Sequence, residues 1–303
     1  MSPKLYELNA QRDFKTFNPQ TQFLIWAITG RKEELEKEKR LNPKEVFHLE
    51  CLATNLRRSP SIIEAGEKLL ANQVIGWSWQ SWLQIILSDC LHPFHAESYH
   101  HSIRISQIVL AIKEKYKKSG FAGFEDLGNK EFARVQENLF FNQEDWEYIE
   151  NAAFYHDLGK LGFPKGFWDT PGEFTKEQQE SRKIHPPLFF PMGEKFNVPL
   201  KVTGLALAHH YLNLGYPNNG LISIFHDYLL DQKFRQMLEI LTTLDIYDGM
   251  RGRRCYRRTV FSHDQVRARM PRELGSMGLR FTPLLEVVIQ TPRIEKLYPA
   301  QSC

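Results

Sequence analysis

Apolar positions recur every three to four residues through much of this chain, and that spacing predicts helices. Near the start, Phe23, Leu24, Ile25 and Trp26 open an apolar helix that runs into the charged stretch Arg31 to Arg40. That charge run reads as a solvated face laced with i,i+4 pairs. Val46, Leu49, Leu52 and Leu56 follow at helical spacing behind Pro43, and proline suits a first helical turn because its missing N–H has no intrahelical partner there. Ser59-Pro60-Ser61 stops one helix and starts another, which carries Ile62, Ile63, Leu69 and Leu70. Trp77, Trp79 and Trp82 crowd one region and read as core or as a seam between domains.

Residues 86 to 116 are expected to form a long helix, with Ile103, Ile105, Ile108, Val109 and Ile112 on its buried side. Lys117 to Asp145 is polar and glycine-containing, a loop with a short helix from Lys130 to Glu137. A loop of that length in a compact domain is usually functional or mobile. Trp146 to Tyr155 reads as a helix that delivers His156 and Asp157. Thr175 is a helix N-cap with Gln178 in the capping-box position, and Pro186 ends that helix near His185. Residues 198 to 210 form a helix ending in His209-His210, and a further helix runs from about Asp227 to Met250. Residues 264 to 291 are one or two more helices, and 292 to 303 a tail.

Length and composition set bounds on this pattern. The 303 residues suffice for one large domain or two modest ones. A hydrophobic content of 42% with 25% charged residues is ordinary for a globular protein. A net charge of +3 is too weak to argue for a large nucleic acid or an anionic membrane as partner. The four cysteines are scattered, with no Cys-x-x-Cys, and read as reduced thiols. The opening residues carry no apolar segment of the signal-peptide kind, and no apolar run approaches the roughly 18 residues of a membrane helix. The expectation is a cytoplasmic protein.

The chemistry gathers around Phe154-Tyr155-His156-Asp157-Leu158-Gly159-Lys160. An adjacent imidazole and carboxylate can serve two metal ions, because a carboxylate can bridge. Lys160 adds a cation where an anionic substrate would sit. Glu97 and His101 stand four apart on one predicted helix face. The candidate ligands are Glu97, His101, His156, Asp157, His185, His209, His210 and Asp245. All offer nitrogen or hard oxygen and none a thiolate, which suits iron or manganese better than structural zinc. Eight ligands exceed the needs of one ion, so two or three divalent ions are expected. Neighbouring helical residues point about 100° apart, so His209 and His210 can both coordinate only if the helix ends there or they serve different ions. His92, His95 and His100 read as ordinary surface or core histidines. His226-Asp227 reads as a decoy, with Asp227 explained as an N-cap. The arginines from Arg251 to Arg258 have two readings, a solvated helix terminus or a phosphate clamp.

Taken in order, the run His156-Asp157-Leu-Gly-Lys160-Leu-Gly-Phe-Pro, Pro171-Gly172-x-x-Thr175, His185-Pro186, His209-His210, Gly215-Tyr216-Pro217, Asp245-Ile-Tyr-Asp248 and Arg254-Cys-Tyr-Arg257 resembles the HD-GYP domain. Gly278-Leu-Arg-Phe281-Thr-Pro283 resembles that family's closing helix, so the likeness covers roughly residues 85 to 290. The resemblance implies an all-α fold, an HD-domain helical bundle at 81–303 preceded by a smaller helical N-terminal region at 1–80. It implies a binuclear or trinuclear centre held by the ligands above, with Asp157 bridging and Glu97 and His101 completing a third site. It implies hydrolysis of the bacterial second messenger cyclic di-GMP, with Lys160 and Asp157 as the catalytic pair and Tyr216, Arg254 and Arg257 engaging the dinucleotide.

The chain departs from the family pattern at three points. The loop from Tyr211 to Gly215 is short and lacks the family's two acids. The segment between His101 and His156 is long, and with the N-terminal region it is a candidate surface for protein partners. Arg251-Gly-Arg253 replaces a stretch that usually holds Thr, Ser and Asp. The alternative function is a catalytically weak module of the same family that senses or binds cyclic di-GMP, and a third is hydrolysis of another nucleotide.

Overall fold

The computed structural model describes residues 19–30, 41–71, 78–119, 141–217, 222–223, 225–252, 260–274, 294 and 296–298. The charged stretch Arg31 to Arg40, the expected helix Lys130–Glu137, Arg254, Arg257 and the closing segment 275–290 lie outside the described residues. The fold is all-α, with no strand among the described residues. The helices are α1 (Pro19–Thr29), α2 (Pro43–Leu56), α3 (Pro60–Leu70), α4 (Trp79–Ile85), α5 (Ala96–Ser119), α6 (Gln143–Tyr155), α7 (Lys176–Arg182), α8 (Phe189–Lys195), α9 (Leu200–Ala208), α10 (Tyr211–Leu214), α11 (His226–Leu230), α12 (Gln232–Arg251) and α13 (His263–Leu274). A π-helical turn, Ile86–Leu91, continues α4, and a 3₁₀ turn, His156–Gly162, continues α6. No helix is long and apolar enough to cross a membrane among the described residues.

Local sequence accounts for most helix starts. The Asn42 side chain accepts from the Glu45 amide at 2.9 Å, and the Glu45 carboxylate accepts from the Asn42 amide at 3.0 Å. Thr175 and Gln178 make the same reciprocal cap, as their spacing predicts, at 3.2 and 2.9 Å. Asn142 and Asp145 repeat it at the start of α6. Each such cap satisfies two amides that the first helical turn leaves without partners.

Two expected helices are interrupted. The stretch 86 to 116 breaks at His95, whose backbone is extended (φ −153°, ψ 90°), two residues after Pro93. The helix expected from Asp227 breaks at Asp231 (ψ 118°). Asp231, not Asp227, caps the long helix, its carboxylate accepting from the Phe234 amide at 2.9 Å.

The chain forms two compact units that do not follow chain order: residues 1–99 with 157–170 and 175–203, and residues 100–156 with 171–174 and 204–303. The boundary expected near residue 80 falls inside the first unit. There α1 packs against α2, α3 and α8, and Leu24, Ile25, Ile28, Leu52, Leu56 and Ile62 are fully buried. Trp82 is core, stacked on Phe196 with ring centroids 5.4 Å apart. From α2, Asn55 donates to the Leu161 and Phe163 carbonyls at 2.7 and 3.3 Å, and His48 Nδ1 donates to the Gly162 carbonyl at 2.8 Å. Three successive carbonyls just past Lys160 are thereby tied to α2.

In the second unit α12 is the central element, with α6, α10, α11 and α13 packed on it. Its Met237, Leu238, Leu241 and Leu244 are fully buried, each such side chain contributing about 1.5–3 kcal/mol. A Cβ at Gly204 would lie 2.7 Å from the Phe225 ring, so glycine lets α9 approach that ring.

Candidate metal centre

Three histidines stand where a helix runs out of amide partners. His156 follows α6, His209 follows α9, and His185 lies just past α7. The last carbonyls of a helix lack intrahelical donors, and each ring takes the one three residues back. His156 Nδ1 donates to Ala153 O at 3.0 Å, His209 Nδ1 to Ala206 O at 2.5 Å, and His185 Nδ1 to Arg182 O at 2.7 Å. A carbonyl only accepts, so each Nδ1 carries the proton and each Nε2 keeps its lone pair. This tautomer and this anchoring are what a metal-bound imidazole requires. His101 is anchored differently: its Nδ1 donates to the Asp248 carboxylate at 2.6 Å.

In the second unit these rings form two pairs around one carboxylate. His101 and His156 offer ring nitrogens within 4.8 Å of each other, and so do His209 and His210. Asp245 faces both pairs. Its Oδ1 lies 3.0 Å from His101 Nε2 and 3.9 Å from His156 Nε2, and its Oδ2 lies 3.6 Å from His210 Nδ1. α9 ends at Ala208, which meets the condition for both His209 and His210 to turn toward one place.

Burial alone would raise the Asp245 pKa, but the His101 hydrogen bond and the neighbouring His210, His101 and His156 outweigh it and hold the carboxyl well below its usual range. Asp248 behaves alike. Burial opposes its ionisation, while the His101 contact and Arg104 hold it far below the usual range.

Spacing on two helices builds this arrangement. His101 and Arg104 are three apart on α5, Asp245 and Asp248 three apart on α12, so each pair shares a face. Arg104 grips Asp248 with Nε and one terminal nitrogen, at 2.7 and 2.9 Å. The Tyr298 hydroxyl donates to the same carboxylate at 2.5 Å. Both nitrogens of His101 thus face a carboxylate. An imidazolium meets that demand, and so does a metal ion in place of the Nε2 proton. Cis ligands about 2.1 Å from one octahedral ion stand about 3.0 Å apart, the separation seen between His101 Nε2 and Asp245 Oδ1. The donors fit a divalent ion.

In the first unit His185 Nε2 lies 3.4 Å from Asp157 Oδ1, and Lys160 Nζ donates to Asp157 Oδ2 at 2.5 Å. Gly159 allows this by close approach: a Cβ there would sit 1.9 Å from the His185 carbonyl oxygen. Lys160 also donates to Ser98 Oγ at 3.1 Å, and its ammonium lies 5.1 Å from the centre of the Trp168 ring. The Trp168 indole N–H donates to the Lys160 carbonyl at 3.2 Å, and its ring meets His185 edge-on at 5.6 Å.

The predicted residues divide accordingly. His101, His156, His209, His210 and Asp245 converge in the second unit, and Asp157, Lys160 and His185 in the first. Tyr216 packs on His210 with centroids 4.9 Å apart. Glu97 lies in the first turn of α5, partly exposed. His226 is exposed. Sequence reasoning assigned no role to Asp248, Arg104, Tyr298, His95, Ser98 or Trp168. For Asp248 the signal was available, because it follows Asp245 by three residues on a helix.

A family model described as HD domain matches residues 98–250. The chain is 27% identical over 157 residues to the cyclic di-GMP phosphodiesterase response regulator RpfG of Xanthomonas campestris pv. campestris, covering 50% of this chain and 39% of that protein. It is 29% identical over 128 residues to a cyclic di-GMP phosphodiesterase of Thermotoga maritima, covering 41% and 32%. It is 27% identical over 128 residues to the 3'3'-cGAMP-specific phosphodiesterase 3 of Vibrio cholerae, covering 41% and 25%. The chain therefore spans less than two fifths of the length of these curated relatives. No solved structure matches it.

Proposed function

The chain belongs to the HD domain family, and from that premise we propose that it is a metal-dependent phosphodiesterase that hydrolyses cyclic di-GMP. Two observations carry this reading: His101, His156, His185 and His209 are each anchored through Nδ1, and the pairs His101/His156 and His209/His210 flank the ionised Asp245. Relatives named as cyclic di-GMP phosphodiesterases support the substrate.

His101, His156, His185, His209, His210, Asp157 and Asp245 are the proposed metal ligands, with Glu97 completing a third site. His156 and Asp157 are neighbours along the chain, and each is a proposed ligand within its own set. Bound there, two or three divalent ions, iron or manganese, would activate water near neutral pH and neutralise charge on the phosphoryl oxygens. Asp157 is the proposed bridge, and Asp245 offers an oxygen to each histidine pair. Lys160 has three N–H donors. Ser98 and Asp157 accept from two, and the third serves a phosphoryl oxygen. Tyr216 is the proposed contact to a base, and Arg254 and Arg257 are the proposed phosphate-binding cations.

The test is to purify the protein anaerobically, measure iron and manganese, and follow cyclic di-GMP by chromatography. Metal at two or more ions per chain with turnover to linear or mononucleotide product is expected, and Asp245→Asn should lose both. Metal-loaded protein that binds cyclic di-GMP tightly without turnover would make it a sensor, the reading that the shortened loop before Gly215 favours. Turnover of 3'3'-cGAMP alone would move the substrate and keep the chemistry.

A further inference from the structure

A lysine on four rotatable bonds sweeps a wide volume, so a lysine that acts on one phosphoryl oxygen has to be aimed. Lys160 is aimed from one side by Asp157. What fixes it from the other begins at the break before α5. His95 is the extended residue there, and its Nδ1 accepts from the Ser98 backbone N–H at 3.1 Å. It therefore does the work usually left to Ser, Thr, Asp or Asn at a helix start.

That single contact sets the polarity of everything behind it. Because Nδ1 accepts, the ring proton of neutral His95 is on Nε2, which faces Asp169 Oδ1 at 3.4 Å. The Ser98 hydroxyl, 2.7 Å from Nδ1, donates to it. Its oxygen lone pairs are then turned to Lys160 Nζ, 3.1 Å away. Ser98 is fully buried and His95 is 7% exposed, so water does not compete for these contacts, while Asp169 is 60% exposed at the far end. A carboxylate, an imidazole, a hydroxyl and an ammonium form one string with every donor direction determined.

We propose that Asp169, His95 and Ser98 brace the Lys160 ammonium, with His95 as a positioning residue for phosphodiester hydrolysis. The catalytic consequence rests on the function proposed above; the brace itself does not. Capping alone gives no reason for an imidazole, since a short polar side chain would serve. The imidazole adds a second nitrogen that reaches Asp169, which locks the tautomer that Ser98 needs.

Three variants separate bracing from capping. His95→Gly removes the acceptor, yet glycine at a helix start costs only a few tenths of a kcal/mol relative to good caps. Ser98→Ala removes the oxygen seen by Lys160. His95→Asn keeps an acceptor at the Nδ1 position. With metal content unchanged, kcat for cyclic di-GMP and for bis(p-nitrophenyl) phosphate should fall about 10- to 100-fold in His95→Gly and Ser98→Ala. KM should stay near its original value, and His95→Asn should restore kcat. Wild-type turnover in the first two variants, or loss of their metal, overturns the positioning role.

A second readout does not need turnover. Trp168 lies 5.1 Å from the ammonium, and its emission is isolated by subtracting the Trp168→Phe spectrum in each background. That emission should change in His95→Gly and Ser98→Ala and be preserved in His95→Asn. If wild-type protein hydrolyses no phosphodiester, the proposed function fails and this spectrum alone decides the brace. An unchanged Trp168 spectrum in both variants overturns it.

Discussion

Lys195 closes α8 in the first unit with 1% of its surface exposed, and its Nζ has no hydrogen-bond partner. It lies over the Phe196 ring at 4.9 Å, and a Cβ at Gly66 on α3 would be 3.8 Å from the nitrogen. Burial pushes the amine down to about 7, against about 10.4 in an unfolded chain. Between those values the unfolded state holds a proton that the folded state lacks, so stability rises with pH, by about 1.4 kcal/mol per unit. Across the full interval the effect is about 5 kcal/mol. Below about pH 7 both states are protonated, the slope vanishes, and the cost of the buried charge is fully present.

Lys195→Met keeps the length of the side chain and removes the titration. Urea unfolding from about pH 6 to pH 9.5 should show the variant more stable than wild type at low pH, by up to about 5 kcal/mol. The gap should close by about 1.4 kcal/mol for each unit above pH 7. Comparing the two proteins cancels other groups, including Cys90 and Tyr155, whose pKa values burial raises to about 12. Parallel stability profiles would mean that Lys195 keeps its charge when folded, and would refute the reasoning.

Four further outcomes are expected. Gly159→Ala should cost more than about 3 kcal/mol in urea unfolding and abolish metal retention, because its Cβ would lie 1.9 Å from the His185 carbonyl oxygen; a stable, metal-loaded variant would contradict that approach. Asp248→Asn should weaken metal binding about 10- to 100-fold in a chelator competition, since it removes the charge behind His101. The Asp248 pKa is depressed in the folded state, so its stabilisation is present above about pH 3.9 and is lost as pH falls through the acid range; Asp248→Asn should flatten that limb of the stability profile. Asn55→Ala should destabilise by about 1–3 kcal/mol, because the Leu161 and Phe163 carbonyls lose their side-chain donor. An unchanged midpoint would show that those carbonyls find other donors.

Local sequence dictates the parts of this protein that close over three or four residues. Thr175 with Gln178 is a cap because each side chain reaches the other's amide within one turn. The anchoring of His156 and His209 is local for the same reason, because a helix that stops at a histidine offers it a spare carbonyl three residues back, and that geometry needs no distant partner. The helical character followed from apolar spacing for the same reason. Contacts across long separations come from folding. Ser98 and Lys160 are 62 residues apart, His101 and Asp248 147 apart, and Tyr298 reaches Asp248 from a stretch that reads only as a tail. His95 looked ordinary because its cap and its carboxylate partner exist only after the chain breaks before α5 and Asp169 arrives. Lys195, one of many lysines by composition, became a buried amine through the packing of helices around it. Hydrogen-bond direction and desolvation depend on what surrounds a group in space, and one-dimensional pattern carries that information only where the neighbours in space are also neighbours along the chain.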